Sequence, residues 1–238
     1  MEVYFIQGIV LPERSPLTYE FSVKFQHVAT GQHCSAKVTI LLNQVAIWLD
    51  AEGEMSSPDL KNLANYVILD LLYVFSYLNG YTYDFQVTRI INRERGVDQV
   101  IGIDHPTIAA RRSPSIDYGV IVKKVQVHLL GEHGLYIHRC LGDLSSAMRF
   151  IEDSAFYCYR AIESLRKHCA AVHGISDSSK ILQWEKFREV SGFSKEKIGW
   201  IAEFSKESRH GGPSILSVEE SEKLLNETWD VVDSYLNV

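Results

Sequence analysis

Two stretches of the sequence hold residue types that can do chemistry. The first, Arg209-His210-Gly211-Gly212-Pro213, sets a permanent cation beside an imidazole that titrates near neutral pH. The second is Tyr159-Arg160-Ala161-Ile162-Glu163-Ser164-Leu165-Arg166. On a helix, Glu163 falls beside Phe156 and Tyr159 on an aromatic face, where an unpaired carboxylate is costly. The nearest cations after the following helices are Arg209 and His210, so a contact between Glu163 and that segment is expected. Lys206 precedes His210 by four positions, and Arg166 stands before His173 with six residues between them. Each stretch also has a plainer reading. Glycines permit a left-handed turn, Pro213 forbids a further helical turn, and cations suit the negative end of a helix dipole, so Arg209-His210 also reads as a helix C-cap. His168 and His173, taken singly, read as structural or solvated, and Arg111-Arg112 as a solvated connector.

The element that must position Glu163 is Phe150 to His173, which reads as one long helix. Ile151, Ala155, Cys158, Ile162, Leu165, Cys169 and Val172 form its core stripe. A stripe with an adjoining aromatic face belongs inside a bundle. Around it, helices are expected over Leu135 to Met148, Ile181 to Val190 and Ser194 to Ser208. A last helix is expected from a Ser217/Glu220 capping box through Val218, Leu225, Trp229, Val232 and Leu236. Ile116 to Leu130 is rich in β-branched residues yet precedes a helical region, and a helix is preferred.

Upstream the pattern changes. Val3 to Val10, Thr18 to His27, Cys34 to Leu42 and Gln44 to Leu49 are short strand-like runs with turn residues between them, Asn43 included. Ser57-Pro58-Asp59 opens a helix carrying Leu60, Leu63, Val67, Leu71, Val74 and Leu78, closed by Asn79-Gly80. Tyr81 to Asn92 and Gln99 to Ile103 read as further strands. The expected fold class is α+β: a small mixed sheet-plus-helix domain over 1–104, a linker over 105–115 and an all-α bundle over 116–238.

At 238 residues and 46% hydrophobic content, the chain can bury two ordinary cores. A net charge of −6 argues against bulk coating of nucleic acid, although residues 155–212 hold 10 Lys+Arg against 7 Asp+Glu. Cys34, Cys140, Cys158 and Cys169 form no C-x-x-C pair and suit free thiols. No H-E-x-x-H, P-loop, dinucleotide fingerprint or G-x-S-x-G occurs, so no metal or cofactor is expected. No secretory leader is visible, and the most apolar run, Tyr66 to Phe75, contains Asp70 and is about half a membrane span. A cytoplasmic protein without membrane attachment is expected.

Tyr159 to Leu165, a helix bearing Trp184, Arg209-His210-Gly211 and a closing helix with Trp229, in that order, resemble the Apea-like branch of the HEPN superfamily. The likeness extends to Leu60–Leu78 and Gly80-Tyr81-Thr82-Tyr83-Asp84 in the first half. The resemblance implies a homodimeric helical bundle, many of whose relatives are metal-independent endoribonucleases or toxins of defence systems. Their signature is Arg, four to six residues, then His; here Arg209 and His210 are adjacent, and the literal match, Arg166 to His173, lies on the central helix. The residues that the resemblance marks as catalytic are Arg209, His210 and Glu163. Arg160, Lys206, Tyr159 and Arg166 are marked as RNA-binding or supporting. Alternatives are a non-catalytic dimerisation module that binds a partner protein, and a small-ligand sensor.

Overall fold

The computed structural model describes residues 3–27, 31–102, 104–111, 117–209 and 216–237. The chain divides into two compact units, Met1–Ile103 and Asp104–Val238.

The first unit is an antiparallel six-stranded sheet with one long helix. Strands β1 (Tyr4–Leu11), β2 (Tyr19–Gln26), β3 (His33–Leu41), β4 (Gln44–Ala51), β5 (Asp84–Asn92) and β6 (Val97–Val100) lie in the order β2-β3-β4-β1-β5-β6. Alternation sends Tyr4, Ile6, Val38, Ile40, Ile47, Leu49, Val87 and Ile90 to one face, where they pack with helix α1 (Ser57–Asn79). The β3–β4 turn uses Leu42 and Asn43, both at positive φ. The buried Asn43 side chain accepts from Leu17 N–H and donates to the carbonyls of Pro12 and Ser15, pinning the β1–β2 connection. Register slips between Gln7 and Gly8, and a Cβ on Gly8 would lie 2.3 Å from the Phe85 ring and 2.6 Å from the Gln86 carbonyl. Gly8 is therefore required for close packing of β1 on β5.

Helix α1 is capped by Ser56, one residue before the expected cap. Its buried set is Leu60, Leu63, Ala64, Val67, Ile68 and Leu72. Val74 and Leu78, expected in the stripe, are exposed. A helix of 23 residues is about 34 Å long and outruns the side chains that cover it.

The second unit is helical: α2 (Pro106–Ala109), α3 (Tyr118–Leu129), α4 (Gly134–Arg149), α5 (Ser154–Val172), α6 (Lys180–Ser191), α7 (Lys195–Arg209) and α8 (Val218–Leu236). The helix preferred for Ile116–Leu130 is α3, with Asp117 accepting from Val120 N–H at its cap, and Ile116 lies outside the described residues. The single helix expected over Phe150–His173 is broken at its start. Phe150 ends α4, Ile151–Asp153 make one 3-10 turn, and α5 begins at Ser154. Ala155, Cys158, Ile162, Leu165 and Cys169 are fully buried as the stripe requires, whereas Ile151 and Val172, in or near the ends, are exposed. Helix α5 packs against α4, α6, α7 and α8, and the capping box of Ser217 with Glu220 opens α8.

Within the stretch expected to be a linker, Pro106–Ala109 form a helical turn against α8. Arg111, expected to be solvated, donates to Asp230 at 2.8 Å and Asp233 at 2.9 Å. Two carboxylates one helical turn apart on α8 form a clamp that the local sequence around Arg111 does not reveal.

Candidate functional site

Tyr159, Glu163 and Arg166 recur at steps of four and three on α5, so one face carries all three toward α6 and α7. Arg166 is only 5% exposed. Its guanidinium donates to Gln183 Oε1, lies 5.0 Å from the Trp184 ring centre and comes within 4.0 Å of Glu163 Oε1. Its Nε has no hydrogen-bond partner among the described residues. Gln183 in turn donates to the Ser176 carbonyl at 2.9 Å, which fixes its amide. Trp184 stacks on Tyr159 with ring centres 6.4 Å apart and planes 22° apart. Arg209, at the last residue of α7, brings its guanidinium to 4.9 Å from the Tyr159 ring.

Five side chains from three helices thus form a cation–aromatic cluster of Arg166, Trp184, Tyr159, Arg209 and Glu163. Burial, and then the negative charge of Glu163, raise the Tyr159 phenol above its ordinary value, while Arg209 and Arg166 oppose that shift. Tyr159 is therefore a neutral hydroxyl at physiological pH, able to donate as well as accept.

Among the described residues, the cation paired with Glu163 is Arg166, one turn along its own helix. Arg209 reaches the same cluster through the Tyr159 ring. His210 lies outside the described residues. Arg160 turns to α4: its Nε donates to buried Asp143 at 2.9 Å, and its guanidinium covers the Phe156 and Tyr157 rings at 4.9 and 5.1 Å. It braces α5 on α4. Lys206 pairs with Glu203 on the exposed side of α7. His173 caps the end of α5.

The sequence reading passed over Gln183 and Asp143, the polar groups that anchor the two arginines of α5. Both are nearly buried polar residues on otherwise amphipathic helices, and nothing in their spacing sets them apart from solvated positions. His168 is likewise interior: its Nδ1 lies 2.7 Å from the Tyr235 hydroxyl and its ring meets His128 edge-on at 6.0 Å. Burial, then the neighbouring His128 and His133, lower its pKa to about 4, so it is a neutral structural histidine.

All four cysteines are unpaired and buried. Burial raises each thiol pKa, that of Cys158 to about 11, which suppresses the nucleophilic thiolate. Among the described residues no group of three or more His, Cys, Asp or Glu is placed to hold a metal ion, and no helix is long and apolar enough to cross a membrane.

Comparison with known families divides the chain as the fold does. Residues 4–101 match the family model described as "Domain of unknown function (DUF8168) N-terminal domain", and residues 122–238 match "Domain of unknown function (DUF8168) C-terminal domain". The chain is similar to both halves of this family. The first match covers the sheet with α1, and the second covers most of α3 and all of α4 through α8. No curated protein and no solved structure matches the chain.

Proposed function

We propose that the helical unit is an HEPN-like, RNA-directed module of a bacterial defence or toxin-type system, and that the α5–α6–α7 cluster is where it meets RNA. The observation that carries this reading is Arg209 seated on the Tyr159 ring beside Glu163 and Arg166, with the chain running directly on into His210. A guanidinium at an exposed helix end suits a phosphodiester, and the neutral Tyr159 hydroxyl supplies a second donor beside it.

Metal-independent cleavage at such a site needs a base, an acid and a cation. The His210 imidazole takes the proton from a ribose 2′-hydroxyl, and the 2′-oxygen attacks phosphorus. The P–O5′ bond breaks, leaving a 2′,3′-cyclic phosphate, and the departing 5′-oxygen takes a proton from a second imidazole. Arg209 stabilises the charge on the phosphorane. In a two-fold dimer the second imidazole is the His210 of a second copy, which makes the dimer part of the site.

A non-catalytic interaction module is favoured by a different observation. Helix α3 contributes no buried residue and exposes Tyr118 and Val122 on one side and Val120 and Val127 on the other, apolar surface that suits cover by a second copy of the chain. The two readings separate in one experiment: purified chain with end-labelled RNA in EDTA, alongside His210→Ala and Arg209→Ala. An active module yields cyclic-phosphate ends that both substitutions abolish. Intact RNA that is still bound, with binding weakened by Arg209→Ala, leaves an RNA-binding module without catalysis. RNA that is neither cleaved nor bound overturns the RNA reading.

A further inference from the structure

Helix α1 packs one side on the sheet, and the side away from the sheet carries a pattern of its own. Tyr66, Asp70, Tyr73 and Tyr77 recur at steps of four, three and four, which sets them in one row along the helix. The buried set, Leu60, Leu63, Ala64, Val67, Ile68 and Leu72, lies on the other side. All three tyrosines are more than half exposed, Tyr77 at 87%, and Asp70 is exposed between them. Val74 and Leu78, also more than half exposed, extend this surface beside Tyr77. Lys61 is the one cation of α1, and its spacing puts it on the side of the helix opposite Asp70. Among the described residues no cation pairs with Asp70, and partial desolvation raises its pKa above the ordinary carboxylate value. A carboxylate crowded in this way gains from a counter-ion, and tyrosine rings beside it add their own attraction for one.

We infer that this row is a docking site for a protein segment that carries an arginine among apolar side chains. The guanidinium stacks on the tyrosine rings and forks onto the Asp70 carboxylate, which the point charge of an ammonium does less well. The apolar neighbours of that arginine cover Val74 and Leu78. Charge decides between this occupant and two others. A nucleic acid brings phosphates to a row that holds a carboxylate and no cation. A second copy of the chain, docked by two-fold symmetry about the middle of the row, brings two Asp70 carboxylates together. Tyrosine also offers a large contact area for little lost side-chain freedom, and it concentrates at protein interfaces.

The site belongs to the first unit and stands independently of the RNA reading of the second. Full-length chain is panned against a random-peptide phage library depleted on the Tyr77→Ala chain, so that the survivors depend on this face. Surviving peptides are synthesised with a fluorescent label and titrated with the protein. They share an arginine flanked by apolar residues, and Asp70→Arg weakens their binding about tenfold or more. Glu94→Arg, the same change of charge in the β5–β6 turn, leaves binding unchanged. Asp70 is exposed, so its variant melts with the parent. Citrulline in place of the shared arginine keeps the shape, removes the charge and weakens binding to the same degree, with no change in the protein. A library that yields no survivor, or survivors without a shared cation, overturns the inference. So does binding indifferent to Asp70→Arg, or weakened equally by Glu94→Arg, which reports bulk attraction to an acidic chain. A parent dimer that Tyr77→Ala dissociates also overturns it and assigns the face to a second copy.

Discussion

Arg166 is a guanidinium almost wholly removed from water, with little set against it. Glu163 stands 4.0 Å away on a half-exposed side chain, too far for a hydrogen bond, so Gln183 is the acceptor that compensates the charge. Breaking a buried charge network is far more costly than weakening a surface pair. Gln183→Leu is therefore expected to lose about 3 kcal/mol in chemical denaturation, and Glu163→Gln less than about 1 kcal/mol. Equal losses would reassign the compensation to Glu163.

His168 makes a pH prediction at the same scale. Above about pH 6.5 its imidazole is neutral in the folded and unfolded states alike and contributes nothing to pH dependence. As pH falls toward 4 the unfolded chain binds a proton that the buried ring refuses, so stability declines across that window and the loss is complete below it. The melting temperature should drop between pH 7 and pH 5, and His168→Gln should flatten that drop. A variant that follows the parent curve assigns the pH dependence to other groups.

At the scale of the element, the close approach of β1 to β5 depends on one missing side chain. Gly8→Ala places a methyl against both the Phe85 ring and the Gln86 backbone carbonyl, and the carbonyl cannot swing away. Overpacking of this kind costs about 1–3 kcal/mol. A thermal melt of Gly8→Ala at the parent temperature would mean that the strand slips without cost.

The elements were legible where periodicity and caps agreed. The Ser217/Glu220 box, the β-runs around Asn43 and the stripe from Ala155 to Cys169 all declare themselves in sequence, because period and punctuation are local properties. The turn at Ile151–Asp153 was not legible, since Ile151 falls on the stripe by spacing alone while the chain there changes direction. Arg111 was hidden for another reason: its partners, Asp230 and Asp233, lie more than a hundred residues away.

At the scale of the whole molecule, the chain joins an antiparallel sheet bearing one helix to a bundle centred on α5. The aromatic face of α5 was readable as a place where Glu163 and Tyr159 meet cations. Arg209 was readable as one of them and arrives on the Tyr159 ring from α7, whereas Arg166, the i,i+3 partner of Glu163, was not readable as its cation. The cluster is the centre of the functional account, and mapped photocross-linking tests it most directly. The His210→Ala chain, expected to hold RNA uncleaved, is irradiated with a 4-thiouridine oligoribonucleotide, and the cross-linked peptides are sequenced. The account predicts adducts within Tyr159–Arg166, at Trp184, or in the segment around Arg209. Specific, saturable adducts confined to other parts of the helical unit, or no adduct in that unit at all, would contradict it.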